Sequence, residues 1–472
     1  MRKERLIIFL SLLSCLILDR LSYYPYDVYT HNLAIFSSFF VFLTLFELFI
    51  QQRLLNIYIT IFIGMNWVFF QSPFLLKEKT KYFPRIIDES YLPEIALYMS
   101  ISIVMVYIGY FFFLNKVQAI TSREFRFKNA TLQKLVVFFI ILSVLNRIGT
   151  ALFPSLFGTL SNLIQILFYS PTIAFALYGL YLIRTKSKPT LNFFHLAVIL
   201  VLLLELLSRV ATTMFVSTSL FFSGVLLIYF YEKRRLPLVY FVVLSFFLVP
   251  FYQARKYFRV VNSSTSITGQ KQNSNSQFEQ GKELLSNVYS SEGRQRIEKF
   301  KEIVDEREEY KKNRFENLSF ISQVVYLHKN GFKEFLYGET FYWLPLAPVP
   351  RFIWAGKPEN TMATDFATEY GVRGEDSNAA INFPMLVEAY VNFGFNGIIF
   401  MAFVFGLLFK WFVMKFGVGF GDINMIIIIN CIKQFIHAEG NITLVFGAFL
   451  QVYLFWFVLL KVIGIDKNLK EA

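Results

Sequence analysis

Long apolar runs without regular polar interruption dominate the pattern of this chain. Runs close to 20 residues recur along it, and a helix needs about 20 residues to cross the hydrocarbon core of a bilayer. Lipid offers the backbone no hydrogen-bond partners, so a span must be a helix or part of a closed barrel, and uninterrupted apolarity favours helices. The pattern predicts about twelve spans, near residues 6–18, 33–50, 54–70, 94–114, 134–153, 160–183, 192–207, 210–230, 237–252, 386–409, 422–438 and 442–463.

One long polar segment interrupts these runs and predicts the domain organisation. Residues 1–252 form a membrane domain of about nine helices, residues 253–385 one large loop, and residues 386–472 three further spans. Lysine and arginine are concentrated in the alternate short loops that would face the cytoplasm. The expected fold is therefore an all-α polytopic membrane protein with both termini inside and the large loop outside; the close pair at 192–230 is also consistent with one re-entrant unit.

Composition excludes several classes of protein. The chain is 55% hydrophobic and 17% charged, whereas about a quarter of the residues in a soluble domain carry charge. The net charge of +13 sits in short loops between apolar runs rather than in a separate basic module, which argues against nucleic acid as a partner. Cys15 and Cys431 lie inside apolar spans, so neither a disulfide nor a zinc site is indicated. The first apolar segment predicts a retained signal anchor.

The outer loop has several parts of different composition. Residues 262–280 are rich in serine, asparagine and glutamine, which predicts a flexible stretch. Residues 292–317 have the charge density and spacing of an exposed helix, and residues 318–328 are semi-apolar, as at a membrane interface. Residues 341–358 contain too many prolines to span as a helix.

Cations at the two ends of the loop are candidates for binding an anionic lipid. Arg255, Lys256 and Arg259 follow the ninth span and break the positive-inside bias. Arg351 and Lys357 lie in the proline- and aromatic-rich stretch. A lipid diphosphate would explain such cations; the alternative is that they only reach up to phospholipid headgroups.

Carboxylates follow in the last part of the loop. Asp365, Glu369 and Arg373 are spaced to share one helical face, either as a functional row or as a solvated ion-pair face. Glu388 and Asn392 share a face at the start of the next span, where charge is costly and usually functional.

Other polar residues have weaker signals. Glu205 and Arg209 are spaced as a structural ion pair, and Arg147 and Glu47 are further intramembrane candidates. The four histidines show no ligand spacing, and the loop contains no DxD motif, so neither a metal nor a cofactor is expected.

The order of spans and two local motifs resemble the Wzy-type O-antigen and exopolysaccharide polymerases. The motifs are Pro350-Arg351-(x)5-Lys357-Pro358 in the loop and Glu388-Ala-Tyr-Val-Asn392-Phe-Gly394-(x)2-Gly397 in the next span. The turn His437-Ala-Glu439-Gly440-Asn441 departs from the pattern, since many such proteins carry an arginine there.

The resemblance implies a GT-C-like, metal-independent glycosyltransferase of the bacterial inner membrane, acting in O-antigen, lipopolysaccharide or other polysaccharide biosynthesis. Such enzymes transfer a growing glycan from undecaprenyl diphosphate to the terminal sugar of a lipid-linked repeat unit. The partners that the resemblance implies are membrane lipid, a chain-length regulator and a flippase. The residues expected to be catalytic are Arg351, Asp365, Glu369 and Glu388. Those expected to bind substrate are Arg255, Lys256, Arg259, Lys357, Arg373, Tyr390 and Asn392.

Three alternatives share parts of this pattern. A glycan ligase has the same topology and chemistry and a different acceptor. A flippase or transporter of lipid-linked sugars would have short outer loops and often two repeated halves, and the sequence shows no such repeat. A scaffold subunit would carry an inert loop.

Overall fold

The computed structural model describes fifteen parts of the chain: residues 3–22, 27–50, 57–75, 89–112, 126–153, 165–185, 193–211, 215–233, 316–342, 344–346, 349, 362–371, 383–416, 421–436 and 440–462. Every regular element within them is a helix. The predicted flexible stretch at 262–280 and most of the predicted charged helix at 292–317 lie outside these parts.

The helices follow one another in the order α1 Lys3–Leu21, α2 Val28–Ile50, α3 Ile57–Phe70, α4 Leu92–Phe111, α5 Asn129–Leu152, α6 Gln165–Thr185, α7 Phe193–Ala211, α8 Phe215–Lys233, α9 Glu316–Lys329, α10 Met362–Glu369, α11 Met385–Phe416, α12 Asp422–Ile436 and α13 Ile442–Val462. Short 3-10 turns lie at Ser72–Leu75, Glu89–Tyr91, Glu339–Phe341 and Leu344–Leu346. The last two confirm that the proline-rich stretch, where it is described, does not form a long helix.

A helix occupies eleven of the twelve predicted spans, and the ninth, at 237–252, lies outside the described residues. Within the described parts, four helices are long and apolar enough to cross a bilayer: Val28–Ile50, Leu92–Phe111, Asn129–Gly149 and Met385–Phe412. Shorter apolar helices lie at Ile57–Phe70, Phe194–Leu206 and Ile442–Val458. The protein is thus an all-helical membrane protein in its described parts, and the total of twelve spans stays a prediction.

The chain forms two compact units. The first unit combines Met1–Phe125 with Lys311–Ala472 and contains α1–α4 and α9–α13; the second unit, Arg126–Tyr310, contains α5–α8. The division into a membrane domain, an outer loop and a C-terminal membrane domain stays a prediction.

In the second unit, a charged pair joins α5 to α7. Arg147 donates hydrogen bonds from Nε and a terminal nitrogen to Oε2 of Glu205, at 3.0 and 2.8 Å. Glu205 is buried, and a guanidinium can satisfy a buried carboxylate with two donors at once. Glu205 therefore has a partner on a neighbouring helix, whereas the side chain of Arg209, its predicted partner, lies outside the described residues.

In the first unit, two glycines let α4 and α11 approach closely. A Cβ atom at Gly406 would collide with the Val106 carbonyl oxygen, and one at Gly109 with the Phe403 carbonyl oxygen. Small residues allow such close backbone packing between membrane helices. Further along the same crossing, Tyr98 stacks on Phe395 with ring centroids 3.9 Å apart.

The predicted span at 386–409 is not one continuous helix, and this corrects the sequence interpretation. Phe393 and Gly394 have non-helical backbone angles, with Gly394 at φ 63° and ψ −154°. The chain folds back there, since Gly397 lies against the Ala389 carbonyl group and Met385 lines the same apolar cavity as Phe409. Residues 385–392 form a short "half-helix" beside residues 395–416, which alone are long enough to span.

Candidate functional site

The half-helix ends in carbonyl groups that need hydrogen-bond donors, as the last turn of any helix does. Segment 336–340 supplies them. The backbone N–H of Leu336 donates to the Val391 carbonyl, and that of Tyr337 donates to the Asn392 carbonyl, both at 3.1 Å. Segment 336–340 is therefore attached to the half-helix through its backbone.

Asn392 strengthens this attachment with its side chain. Its Oδ1 accepts the Gly338 N–H at 2.9 Å, and its Nδ2 donates to the Thr340 hydroxyl at 2.7 Å and to the Glu388 carbonyl at 2.8 Å. Asn392 and Thr340 are buried. A buried amide whose donors and acceptor are all used fixes the conformation of its partners.

Two glycines fit where the segment meets the reversal of the chain. Gly338 has φ 98° and Gly394 has φ 63°, values that residues with a Cβ atom rarely adopt. A Cβ atom would lie 3.3 Å from the Phe393 ring at the first position and 3.3 Å from the Phe335 ring at the second. Tyr337, at φ 46°, adopts the same region despite its side chain.

Glu388 lies on the half-helix and is fully buried. Its Oε2 accepts the N–H of Ile442, the first residue of α13, at 2.6 Å, while Asn441 accepts the Leu444 N–H at 2.9 Å. Carboxylate and amide oxygens at a helix N-terminus satisfy its free N–H groups and complement its dipole. The Thr340 side chain lies beside the carboxylate, although no described donor bonds to Oε1 with hydrogen-bond geometry.

Tyr390 is buried among aromatic rings. Its ring centroid lies 4.9 Å from that of Phe395, 5.9 Å from that of Phe335 and 5.7 Å from that of His328. In this structure Tyr390 therefore packs the half-helix against the end of α9. Its predicted contact with substrate stays a prediction.

His328 and Tyr370 connect α9 to the end of α10. Nε2 of His328 lies 3.0 Å from the Tyr370 hydroxyl, and the imidazole stacks on Phe335. Burial lowers the pKa of His328, a hydrogen bond with the Lys333 backbone acts against this, and the Lys333 charge adds to the lowering. Burial, with the nearby Glu369 carboxylate, raises the pKa of Tyr370.

Asp365 and Glu369 both lie on α10 and are exposed. Glu369 pairs with Lys333 at 2.6 Å. The helix α10 ends at Glu369, and Gly371 has φ 69°. Arg373, the last member of the predicted row, lies outside the described residues.

The predicted site residues fall into three groups. Glu388, Tyr390 and Asn392 lie together on the half-helix, and Asp365 and Glu369 lie on α10, which is tied to α9. The others lie outside the described residues: Arg255, Lys256, Arg259, Arg351, Lys357 and Arg373.

Sequence reasoning missed His328, Lys333, Thr340 and Tyr370. The histidines were considered only for metal-ligand spacing, and no local pattern marks contacts between residues about forty positions apart. In the described parts of the chain, no group of three or more His, Cys, Asp or Glu side chains is arranged to hold a metal ion. The absence of a metal from the reaction stays a prediction.

No protein-family model, curated protein or solved structure matches this chain. Its function must therefore be inferred from its own residues, and the family likeness rests on the motifs quoted above.

Proposed function

We propose that this protein is a glycan polymerase of the Wzy type, working at the outer face of the bacterial inner membrane. In the reaction, the bond between the anomeric carbon of the growing glycan and its diphosphate breaks, and that carbon bonds to a hydroxyl oxygen of the acceptor sugar. The hydroxyl proton passes to a carboxylate, and undecaprenyl diphosphate leaves. A base near the acceptor and cations near the diphosphate are what this chemistry requires.

The observation that carries the proposal is the arrangement of the second motif. Asn392 holds segment 336–340, Gly394 allows the chain to reverse, and Gly397 lets the half-helix pack on the following span. Glu388 joins the same half-helix to α13. The residues that carry the family likeness thus serve one task, which is to attach the end of the large loop to the membrane helices.

The described elements on either side of the loop cations both belong to the first unit. Arg351 and Lys357 lie in the stretch between Leu346 and Met362. The 3-10 turn before this stretch packs on α13, and α10 after it is tied to α9. Arg351 and Lys357 themselves lie outside the described residues, and their contact with a lipid-linked diphosphate is part of the proposal.

Burial divides the carboxylates by role. Glu388 is fully buried and bonded to α13, so we assign it the positioning of α13 and the half-helix rather than contact with the acceptor. Asp365 and Glu369 are exposed on α10 and remain the candidates for the base. Lys333 holds Glu369 in place at 2.6 Å, which fixes the orientation of that carboxylate.

A transporter of lipid-linked sugars is a second candidate, and the half-helix favours it. Secondary transporters place interrupted helices and buried carboxylates at their substrate and ion sites. Glu388 on a folded-back helix resembles that arrangement.

Reconstitution separates these functions. The purified protein would be placed in liposomes with a synthetic undecaprenyl-diphosphate-linked repeat unit as the only substrate. A polymerase produces a ladder of longer lipid-linked glycans and free undecaprenyl diphosphate. A transporter moves the intact substrate across the bilayer without changing it, and a ligase requires a separate acceptor. Folded protein that yields no ladder under these conditions would refute the proposal.

Chelation tests the metal-free mechanism. Because no acidic cluster of ligand spacing was found in the sequence, we expect the ladder to form at an unchanged rate in EDTA. The measurement is the initial rate of undecaprenyl diphosphate release with and without the chelator. Loss of the rate, with recovery on adding a divalent cation, would make Asp365 and Glu369 candidate ligands instead.

A further inference from the structure

Five large apolar side chains near the reversal of α11 are exposed, and we name them the outer aromatic patch. They are Tyr337, Tyr342, Leu346, Phe393 and Leu444, with exposed fractions of 77, 72, 39, 42 and 50%. Isolated exposed apolar residues are ordinary, but a group of this size needs an explanation.

Backbone and ring contacts bring the members of the patch together. The Tyr337 N–H bonds to the Asn392 carbonyl, immediately before Phe393. The Phe393 ring lies 6.1 Å from Phe341, the neighbour of Tyr342, and the 3-10 turn with Leu346 packs on α13, whose first turn holds Leu444. The patch therefore surrounds the reversal of α11 and the start of α13.

The patch continues the apolar surface of the two helices that it adjoins. Exposed apolar side chains follow along α11 and α13, namely Phe400, Trp411, Leu454 and Val458. On a membrane-spanning helix the exposed parts of such side chains face lipid, because water would not favour them. The patch lies where that surface reaches the outer end of the span.

We infer that the outer aromatic patch inserts into the headgroup region of the outer leaflet and holds the end of the large loop against the lipid surface. Tyrosine suits this depth because its ring is apolar and its hydroxyl can remain hydrated. Glu339, in the 3-10 turn Glu339–Phe341 between Tyr337 and Tyr342, is exposed and can remain in water while the two tyrosines enter the interface. The inference depends on the membrane location of α11 and not on the proposed enzyme activity.

Site-directed spin labelling tests this placement. The two native cysteines, Cys15 and Cys431, would be replaced by serine, and single cysteines introduced as Tyr342→Cys or Leu346→Cys. Collision of the nitroxide with oxygen, which concentrates in lipid, is compared with collision with a water-soluble nickel chelate, in liposomes. Matched controls are Glu334→Cys, an exposed charged position, and Leu454→Cys, an exposed position well inside α13.

We expect labels at positions 342 and 346 to collide with the nickel chelate several-fold less often than the label at position 334, and with oxygen more often. Their depth in the bilayer should be shallower than that of the label at position 454. Nickel collision equal to that at 334 would overturn the inference, since the patch would then lie in water. Low collision with both reagents would also overturn it, because a protein partner or a second copy would then cover the patch.

A second measurement keeps the cysteines native. The variant Tyr342→Trp is compared with the unaltered protein in liposomes of brominated lipid, whose bromine atoms quench nearby tryptophan. We expect the added fluorescence to be quenched most strongly by bromine near the headgroup end of the acyl chain. If acrylamide quenched the added fluorescence and brominated lipid did not, the insertion would be refuted.

Discussion

The two units treat charge inside their helical packing in different ways. In the second unit, each described carboxylate at a helix interface has a cation: Glu205 pairs with Arg147, and Glu232 pairs with Arg184 at 3.1 Å, with Arg126 nearby. In the first unit, Glu388 has no described cation partner and bonds instead to the first amide of α13. The first unit has ion pairs too, at more exposed carboxylates such as Glu94 with Lys329. The contrast is between the carboxylates within the helical packing: Glu205 and Glu232 are paired with cations, whereas Glu388 joins two helices.

This difference indicates where function is concentrated. A closed ion pair satisfies both members and leaves nothing for a ligand, so its main effect is on packing and stability. The network around Glu388 links segment 336–340, the half-helix and α13, so a change there is passed to that segment. We expect substitutions in the first unit to affect activity and those in the second to affect stability.

The largest expected effect is on the loop cation Arg351. Its guanidinium can bond two oxygens of a departing diphosphate, which lysine cannot reproduce. We expect Arg351→Lys to lower the rate of ladder formation by about 10²–10³ at equal protein abundance, with Arg184→Lys as the matched control of nearly normal rate. Near-normal polymer from Arg351→Lys would remove this residue from the mechanism and leave it the role of reaching lipid headgroups.

The next effect concerns the closed pair of the second unit. Arg147→Ala leaves Glu205 buried without its cation, and breaking a fully buried ion pair costs about 3–5 kcal/mol of stability. Because the Arg147 side chain is 44% exposed, we expect the free energy of unfolding to fall by about 2 kcal/mol. The double variant Arg147→Met, Glu205→Leu should recover most of this loss. The free energy of unfolding in detergent measures both, and a loss of polymerisation by the folded double variant would contradict a purely structural pair.

A smaller effect is expected at Glu388. Glu388→Ala removes a helix cap and should cost about 1–2 kcal/mol, while Glu388→Gln keeps an oxygen for the Ile442 N–H and should cost less. Because the half-helix carries the loop, the alanine variant should also lose activity at temperatures where it stays folded. If glutamine lost all activity with normal stability, Glu388 would be a chemical participant rather than a positioning residue.

The smallest effect is a dependence of stability on pH. His328 has a lowered pKa because it is buried, so the folded state resists protonation that the unfolded state accepts near its ordinary pKa of about 6.5. Stability should therefore be full above that pH and fall as the pH drops toward the lower folded pKa. Melting temperatures at pH 8 and pH 5 should differ less for His328→Gln than for the unaltered protein.

The variant Tyr370→Phe is the control for this measurement. It removes the hydrogen bond to His328 but leaves the histidine able to titrate. It should lower stability at both pH values and keep a pH dependence. An unchanged pH dependence in His328→Gln would show that other groups cause it.

Much of the fold could be predicted because each membrane helix requires a continuous run of apolar residues. The reversal at Phe393 and Gly394 could not, since residues 386–409 are mostly apolar and glycine is common in membrane helices, so Gly394 by itself does not mark a break. The ion-pair partner of Glu205 could not be predicted from the sequence either. Local spacing suggested Arg209 for Glu205, but the structure gives Glu205 a partner from α5, and spacing along one helix carries no information about its neighbours.

The candidate site was predicted in part. The spacing of Glu388 and Asn392 correctly placed both on one buried helical face, because an i, i+4 relation holds in any helix. The same spacing places Arg373 on the face of Asp365 and Glu369, and that stays a prediction, because α10 ends at Glu369 and Arg373 lies outside the described residues. His328 and Lys333 act through contacts with α10 that only the tertiary fold creates.

The half-helix also bears on how the protein is assembled in the membrane. Residues 385–392 are much too few to enter a bilayer unaided, since stable insertion takes about 20 apolar residues. The insertion machinery would recognise residues 395–416 first and α13 afterwards, when the rest of the chain emerges from the ribosome. Only then does the Ile442 amide that Glu388 binds become available. The bond from Glu388 to Ile442 therefore forms only after α13 has been made, later than the bonds of the half-helix to segment 336–340 can form.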